Sequence, residues 1–155
     1  MPSYYRDPSA PTPNVPRKVG VTALITRDET ILVERRVDDP GVWAFIGGTL
    51  EETETIRDTL YREVREETGF DVEAAALLGI FSDPERIAAH PDGSVCRVLS
   101  IAFQVTVAGG AEPCASSESG GMRFVDFSEL EALPFWAIHR PIREAFLASS
   151  APVTA

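Results

Sequence analysis

The chain contains little of what marks a secreted or membrane-bound protein. It has two cysteines, Cys96 and Cys114, whose separation fits neither a CxxC motif nor a set of metal ligands. We therefore expect two reduced thiols, as in a protein of the cytoplasm, rather than a disulfide. No basic segment followed by an apolar one stands at the N-terminus, and no apolar run approaches the roughly 20 residues of a membrane-spanning helix. These absences predict a cytoplasmic protein that does not enter a membrane.

Acidic residues outnumber basic ones, 24 Asp and Glu against 14 Lys and Arg. The chain has a single lysine, Lys18, and its formal net charge is -10 with a pI of about 4.6. A surface of this charge repels phosphate backbones, which argues against DNA or RNA as a partner. A small phosphorylated ligand is still compatible with the charge if metal ions neutralise the site locally.

Residues 1–17 are rich in proline and contain two adjacent tyrosines, Tyr4 and Tyr5. Proline fixes φ and lacks an N–H group, so this density predicts an extended arm without helix or sheet pairing. The prolines are Pro2, Pro8, Pro11, Pro13 and Pro16. Two interpretations stay open: the arm is a loose tail, or its tyrosines anchor it across a partner subunit or the rim of a site. The second interpretation makes a homodimer plausible.

The rest of the chain predicts one domain over residues 18–147, because 155 residues with a hydrophobic fraction of 44% can bury a substantial core. Apolar and β-branched runs predict strands. They lie at 19–26, 30–37, 72–81, 95–107 and 122–127, with loops at 82–94 and 108–121, a closing helix at 134–147 and a disordered tail at 148–155. Strands that alternate with a few helices indicate a mixed α/β layered fold.

The one long predicted helix spans residues 54–68. Ile56, Leu60 and Val64 recur at a spacing of four, so one face of the helix packs on a sheet. Thr53 can cap its first turn, and Gly69 can end it because glycine readily adopts the left-handed conformation found at helix termini.

This helix carries an acidic cluster, formed by Glu63, Glu66 and Glu67. Carboxylates at positions i, i+3 and i+4 project to one side of a helix. Glu63 and Glu67 are like charges one turn apart, which destabilises an isolated helix by about 0.2–0.5 kcal/mol. Carboxylate oxygens are also the ligands that Mg²⁺ prefers, so the cluster predicts a site for divalent cations.

The segment from Gly48 to Phe70, GTLEETETIRDTLYREVREETGF, resembles the Nudix box, and every defining position is filled. These positions are Gly48, Glu54, Arg62, Glu63, Val64, Glu66, Glu67, Gly69 and Phe70. The resemblance extends over about residues 18–147 and implies an α/β/α sandwich with a mixed sheet. It also implies a Mg²⁺- or Mn²⁺-dependent hydrolysis of a nucleoside diphosphate linked to another moiety X. The chain departs from many relatives at Ile46, where they have proline, and at Thr53, where they have glycine.

The resemblance also implies roles for the residues of the box. Glu63, Glu66, Glu67 and the backbone carbonyl of Gly47 would bind the metal. Arg62 would orient the glutamates, and Glu54 would in turn brace Arg62. Val64 would face the core. Glu118, in the SSESGG loop, would be an extra ligand or the general base, although an exposed glutamate without a role is equally compatible with its position.

Residues outside the box are candidates for substrate contact. Arg35 or Arg36, at the end of a predicted strand, could reach a phosphate or ribose, or form a surface salt bridge. Aromatic side chains could stack on a base, although such residues more often lie in the core. They are Trp43, Phe45, Phe81, Phe135 and Trp136. His90 and His139 have no partner at a spacing typical of a metal site or a triad, so we expect both to be structural or exposed.

Two functions are compatible with this pattern. The first is a Nudix pyrophosphohydrolase acting on a small nucleotide, with a nucleotide sugar such as ADP-ribose as the leading substrate class and a nucleoside triphosphate next. The alternative is a non-catalytic Nudix-fold module that senses a nucleotide-like ligand. The intact acidic core favours the enzyme.

Overall fold

The structure, a computed structural model, describes residues 1–117 and 119–148 and the backbone of Val153–Thr154. Its strands are β1 (Ser3–Tyr5), β2 (Lys18–Arg27), β3 (Thr30–Arg35), β4 (Trp43–Ala44), β5 (Ile46–Thr49), β6 (Val72–Phe81), β7 (Arg86–Ala89), β8 (Val95–Val107), β9 (Met122–Asp126) and β10 (Val153–Thr154). Its helices are α1 (Ile56–Thr68), α2 (Phe127–Ala132) and α3 (Arg140–Ala148), with a 3₁₀ turn at Ala137–His139.

The sheet is mixed and is built around β2 and β8. Residues 18–25 of β2 run parallel to residues 98–105 of β8, and β6 pairs antiparallel with the other edge of β8. β5 and then β3 pair antiparallel with the remaining edge of β2, and β9 extends the sheet beyond β3. The parallel pair needs a crossover connection, and α1 lies within it.

Helices cover both faces of this sheet. Alternate residues of a strand point to opposite faces. Val21, Ala23 and Ile25 of β2 therefore pack in the same cluster as Leu60 and Val64 of α1. Leu24 points the other way, into a second cluster that includes Leu130 of α2 and Ile142 of α3. The predicted α/β/α sandwich with a mixed sheet is confirmed.

Helix α1 begins two residues later than the sequence pattern predicts. The N-cap is Thr55, not Thr53, because Asp58 completes a capping box with it. The backbone N–H of Asp58 donates to Thr55 Oγ1 (3.1 Å), and the backbone N–H of Thr55 donates to Asp58 Oδ2 (2.9 Å). Gly69 ends the helix with a φ of 76°, in the left-handed region, as expected.

We predict that Thr55→Ala lowers the free energy of unfolding by about 1 kcal/mol, because it removes one of the two capping hydrogen bonds. Urea denaturation of both proteins measures the difference. The matched control is Thr53→Ala, which changes an exposed threonine two residues earlier. Equal losses in the two variants would place the cap elsewhere.

The N-terminal arm is not free of sheet pairing, which corrects the expectation from its prolines. Ser3–Tyr5 pairs antiparallel with residues 86–88 of β7, a strand inside the loop predicted at 82–94. Pro2 and Pro8 flank this short strand without interrupting it, so no ladder hydrogen bond is lost within it. The side chain of Asn14 holds the arm further along, because its Oδ1 accepts a hydrogen bond from the backbone N–H of Val95 (2.8 Å).

The C-terminal part also differs in detail from the sequence prediction. The predicted closing helix at 134–147 is a 3₁₀ turn followed by α3, with Pro141 in the first turn, where its missing N–H is tolerated. In the predicted tail at 148–155, Val153–Thr154 pairs parallel with residues 79–80 of β6. Residues 149–152 and 155 lie outside the described residues.

Arg86 lies fully inside the protein, at the start of β7. Its guanidinium donates to the carbonyl oxygens of Phe81 (2.7 Å), Val98 (2.9 Å) and Ile138 (2.7 and 3.0 Å) and to Ser100 Oγ (2.8 Å). These five bonds match the five N–H groups of arginine. Burial lowers the pKa of Arg86 to about 10, so the side chain stays charged at neutral pH.

Within the described part of the chain, no helix is long and apolar enough to cross a membrane.

Candidate active site

Two glycines bring the backbone of β5 against the acidic face of α1. Gly48 pairs with Val21 of β2, and a side chain at position 48 would overlap the carboxylate of Glu63. A side chain at Gly47 would overlap the backbone oxygen of Val21. Glycine at position 47 therefore lets β5 lie close against the backbone of β2, and glycine at position 48 leaves room for the carboxylate of Glu63 beside the strand.

Arg62 joins three glutamates. Its Nε and Nη2 donate to the two carboxylate oxygens of Glu54, at 2.5 and 2.9 Å. Its Nη1 donates to Glu63 Oε1 (2.8 Å) and Glu66 Oε2 (3.2 Å). A planar guanidinium suits this arrangement, because its N–H groups form a fixed fork that fits carboxylates. Arg62 thus contacts all three glutamates, and the orienting role that the resemblance implies for it stays a prediction.

The carboxyl groups around Arg62 differ in their proton affinity. Hydrogen bonds from Arg62 and then from Thr59 Oγ1, which lies 2.7 Å from Glu54 Oε2, lower the pKa of Glu54 from 4.5 to about 2. Burial raises the pKa of Glu63, although Arg62 opposes the shift. The bonds to Glu54 and Glu63 raise the pKa of Arg62, so this side chain remains a cation.

We predict that the stability of the fold depends on pH through the ionisation of Glu54. Its pKa is lower in the folded protein, so its ionised form stabilises the fold above about pH 4.5, and this contribution is lost as the pH falls toward 2. Glu54→Gln should therefore be less stable than wild type at neutral pH, with a difference that shrinks between pH 4.5 and 2. Urea denaturation across this range tests it, with the exposed Glu52→Gln as control. A difference that stays constant with pH would contradict the assignment.

The three glutamates of the predicted cluster share a cavity of about 410 Å³. Glu63, Glu66 and Glu67 line it together with Gly47, Gly48, Ser116 and Ser117. Arg62 bonds one oxygen of Glu63 and one of Glu66, so the second oxygen of each has no protein partner among the described residues. In the described ranges, no group of three or more Asp, Glu, His or Cys side chains lies in positions that could hold a metal ion without rearrangement. The cavity nonetheless offers a donor set of carboxylate oxygens, which suits a hard cation.

A larger cavity, of about 490 Å³, adjoins the acidic one and shares Gly47, Gly48 and Glu67 with it. Arg35 and Arg36 both line it. Arg35 donates from Nε (2.9 Å) and Nη2 (2.6 Å) to the backbone oxygen of Gly120. Arg36 lies over the ring of Trp136, with its guanidinium carbon 4.1 Å from the ring centroid. The salt-bridge alternative applies to Arg36, whose Nε and Nη2 also donate to the two carboxylate oxygens of Asp38, each at 3.1 Å.

The aromatic candidates separate into three groups. Trp136 and Phe45 line the larger cavity, although Phe45 is only 2% exposed. Phe81 and Phe135 are buried in the core, so neither can stack on a ligand. Trp43 is not among the lining residues, and its ring lies beneath the guanidinium of Arg123 at 4.9 Å.

Several lining residues had no signal in the sequence. His139 was expected to be structural or exposed, and it is buried in the wall of the larger cavity. Ser116 and Ser117 line the acidic cavity from the loop before β9, where a run of small polar residues gives no hint of a contact with α1. Glu118, which follows them, lies outside the described residues. Of the other candidates, Glu63, Glu66 and Glu67 line one cavity from α1, Gly47 lines it from β5, and Glu54 precedes the helix.

Known proteins resemble this chain in sequence and in fold. A family model described as the NUDIX domain matches residues 16–146. An ADP-ribose pyrophosphatase of Methanocaldococcus jannaschii is 36% identical over 119 residues, which cover 76% of this chain and 66% of that protein. A nucleoside triphosphatase NudI of Escherichia fergusonii is 38% identical over 86 residues, which cover 52% of this chain and 61% of that protein. Each of these two alignments spans less than two thirds of the relative's own length.

Among solved structures, a MutT protein from Bacillus halodurans superimposes with a TM-score of 0.71 at 24% identity, covering 88% of this chain and 86% of that one. At this identity the likeness concerns the fold. It agrees with the match of the family model over most of the chain. We conclude that the chain belongs to the Nudix hydrolase family.

Proposed function

We propose that the protein is a divalent-metal-dependent pyrophosphohydrolase that cleaves the diphosphate bond of a nucleoside diphosphate linked to a moiety X. One observation carries the proposal. Glu63, Glu66 and Glu67 line one cavity, and this cavity adjoins a second one of about 490 Å³, a volume within the range of small-molecule sites. Glu67 and Gly48 line both, so a diphosphate lying between the two cavities would meet the acidic face of α1.

The residues of the smaller cavity fit Mg²⁺ or Mn²⁺. Both are hard cations that prefer oxygen ligands, and the proposed ligands are the carboxylates of Glu63, Glu66 and Glu67 and the backbone carbonyl of Gly47. When bound, such a cation would supply charge neutralisation on the phosphate oxygens and a water of lowered pKa. The proposed role of Glu118, as extra ligand or general base, rests on its place in the sequence.

The other residues of the site would position these ligands. Arg62 holds Glu63 and Glu66 through Nη1, and Glu54 holds Arg62 through two further bonds. The low pKa of Glu54 keeps it ionised at neutral pH, so the clamp on Arg62 persists there. A fixed scaffold of this kind reduces the reorganisation that the reaction would otherwise need.

The leading substrate class is a nucleotide sugar such as ADP-ribose, followed by nucleoside triphosphates. The names of the two relatives, an ADP-ribose pyrophosphatase and a nucleoside triphosphatase, support these two classes. Arg35 or Arg36, in the wall of the larger cavity, would contact the phosphate or ribose, and Phe45 would contact the substrate from the same wall. A homodimer and a cytoplasmic location stay predictions from the sequence.

The experiment that tests the function is a panel of diphosphate compounds, incubated with Mg²⁺, with Mn²⁺ and with EDTA, and analysed for products. We expect a nucleoside monophosphate with a phosphorylated X or with pyrophosphate, formed only when the cation is present. Tight binding without any product would instead support a non-catalytic sensor. Turnover that EDTA leaves unchanged would reject the role of the acidic cavity.

A further inference from the structure

His139 is a buried side chain that the proposed hydrolysis does not use. It belongs to the 3₁₀ turn before α3, is 6% exposed and lies in the wall of the larger cavity, away from the acidic one. A buried histidine usually has a hydrogen-bond partner for each ring nitrogen that is sealed from water. The partners of its two nitrogens therefore indicate what the side chain can do.

The first nitrogen has a structural partner. The backbone N–H of Phe45 donates to His139 Nδ1 at 3.1 Å, so Nδ1 is an acceptor and carries no proton. Burial, with the nearby charges of Arg86 and Arg36, lowers the pKa of His139 well below 6.5, so the ring is neutral at physiological pH. A neutral ring with an unprotonated Nδ1 carries its proton on Nε2. The backbone of β4–β5 thereby fixes the tautomer.

The second nitrogen has no such partner. Among the described residues no hydrogen bond reaches His139 Nε2. Across the same part of the chain, Ser3 Oγ is the sole buried side-chain polar atom without a partner, so Nε2 is not sealed in the core. Because His139 lines the larger cavity, we infer that the Nε2–H group is reached from that cavity.

Neighbouring rings fix the plane of the imidazole. Phe45 stacks on it with centroids 5.8 Å apart, and Trp136 meets it edge to face at 4.9 Å. Arg36 covers a face of Trp136 and holds that ring in turn. The N–H of His139 therefore has a fixed direction before any ligand arrives, which reduces the ordering cost of a bond to it.

A purely structural role would account for the acceptor at Nδ1 of His139 but not for the donor at Nε2. The bond from Phe45 needs an acceptor at Nδ1, and it makes no use of a donor at Nε2. A ligand group that displaces water from this donor without accepting a hydrogen bond would leave the donor unpaired, which is unfavourable. The buried charge of Arg86 adds to this, since it favours electron-rich atoms on the ligand side.

We propose that His139 Nε2–H donates a hydrogen bond to an acceptor atom on the base of the bound nucleotide, either a ring nitrogen or a keto oxygen. This inference rests on the proposed function, because it places the nucleoside part of the substrate in the larger cavity. His139 is then a specificity-determining residue that favours a base with an acceptor at this point and disfavours an amino group there.

Two substitutions separate recognition from structure. In His139→Asn, the side-chain oxygen can replace Nδ1 as the acceptor for Phe45, and nothing replaces Nε2. In His139→Gln, the terminal amide can replace the Nε2 donor, and the acceptor for Phe45 is lost. We expect the Asn variant to bind AMP and GMP about tenfold or more weakly than wild type, and the Gln variant to keep most of the affinity.

Isothermal titration calorimetry measures these affinities in the absence of hydrolysis. Ribose 5-phosphate is the matched ligand that has no base. Its affinity should be the same in wild type and both variants. Equal nucleotide affinities in wild type and His139→Asn would overturn the proposal, and so would wild-type affinities for AMP and GMP no greater than that for ribose 5-phosphate. Hydrolysis of the substrate panel by wild type is scored separately, so a wrong enzyme assignment is told apart from a wrong base contact.

A second measurement needs no variant and covers the case in which a substitution impairs folding. ¹⁵N NMR of the histidines should show His139 protonated at Nε2 alone throughout the neutral pH range. The Nε2–H signal should become protected from exchange with water when GMP or AMP binds, and ribose 5-phosphate should leave it unchanged. A proton on Nδ1, or a signal that the nucleotides leave unchanged, would contradict the proposal.

Discussion

Replacing Glu67 with glutamine is expected to reduce turnover on the order of 10³-fold or more while the protein folds normally. The substitution keeps the size of the side chain and removes the charge that would help bind the cation. Glu67 lines both the acidic cavity and the larger one, so it is the carboxylate placed where a diphosphate would cross between them. Steady-state rates over a range of Mg²⁺ concentrations, with circular dichroism of both proteins, test the prediction.

The matched control is Glu131→Gln. It makes the same change of charge at an exposed position of α2, a helix that covers the other face of the sheet. Its rates should equal those of wild type. A Glu67→Gln protein with wild-type rates would remove this residue from the proposed ligand set, whatever its effect on stability.

Arg62→Lys has the next largest expected effect, a loss of about 10–100-fold in activity. Lysine keeps the positive charge, but its single ammonium cannot replace the fork that bonds Glu54, Glu63 and Glu66 together. Because this role is to position the ligands, the loss should include a higher Mg²⁺ concentration at half-maximal rate. Titration of the rate against Mg²⁺ measures both quantities.

Arg57→Lys is the control for this variant, since it makes the same change on the same helix. Arg57 is exposed and donates to the hydroxyl of Tyr61 at 3.3 Å, with no contact to the acidic cluster. In addition, Glu54→Gln and Arg62→Lys should be far from additive, because the two side chains share two hydrogen bonds. Strict additivity of the two losses would contradict the clamp.

Those features of the molecule that depend on local sequence were predictable. The bounds of β6 and β8 match the predicted strands at 72–81 and 95–107, because long apolar runs bounded by turn residues define them. The acidic face of α1 follows from helical spacing alone. The orienting role of Arg62 is a prediction from the family resemblance, and the structure adds its bonds to Glu63 and Glu66.

Features that depend on contacts between distant segments were not predictable. Three residues of β1 become a strand only because β7 offers them an edge more than 80 positions later. Thr55 and Thr53 are equally good caps by composition, and Asp58 decides between them. The tautomer of His139 depends on a hydrogen bond from the backbone of Phe45, 94 positions away, and no sequence spacing connects the two residues.

The guanidinium of Arg86 has a consequence for motion. It donates to the last residue of β6, to two residues of β8 and to the carbonyl of Ile138 beside His139. Its hydrogen bonds therefore depend on three elements at once. Displacing the turn that carries His139 would remove two of the five hydrogen bonds of this buried cation, which is unfavourable because a buried charge then loses part of its compensation. The bonds of Arg86 therefore resist motion of this wall, and a ligand in the larger cavity would meet a side that yields little.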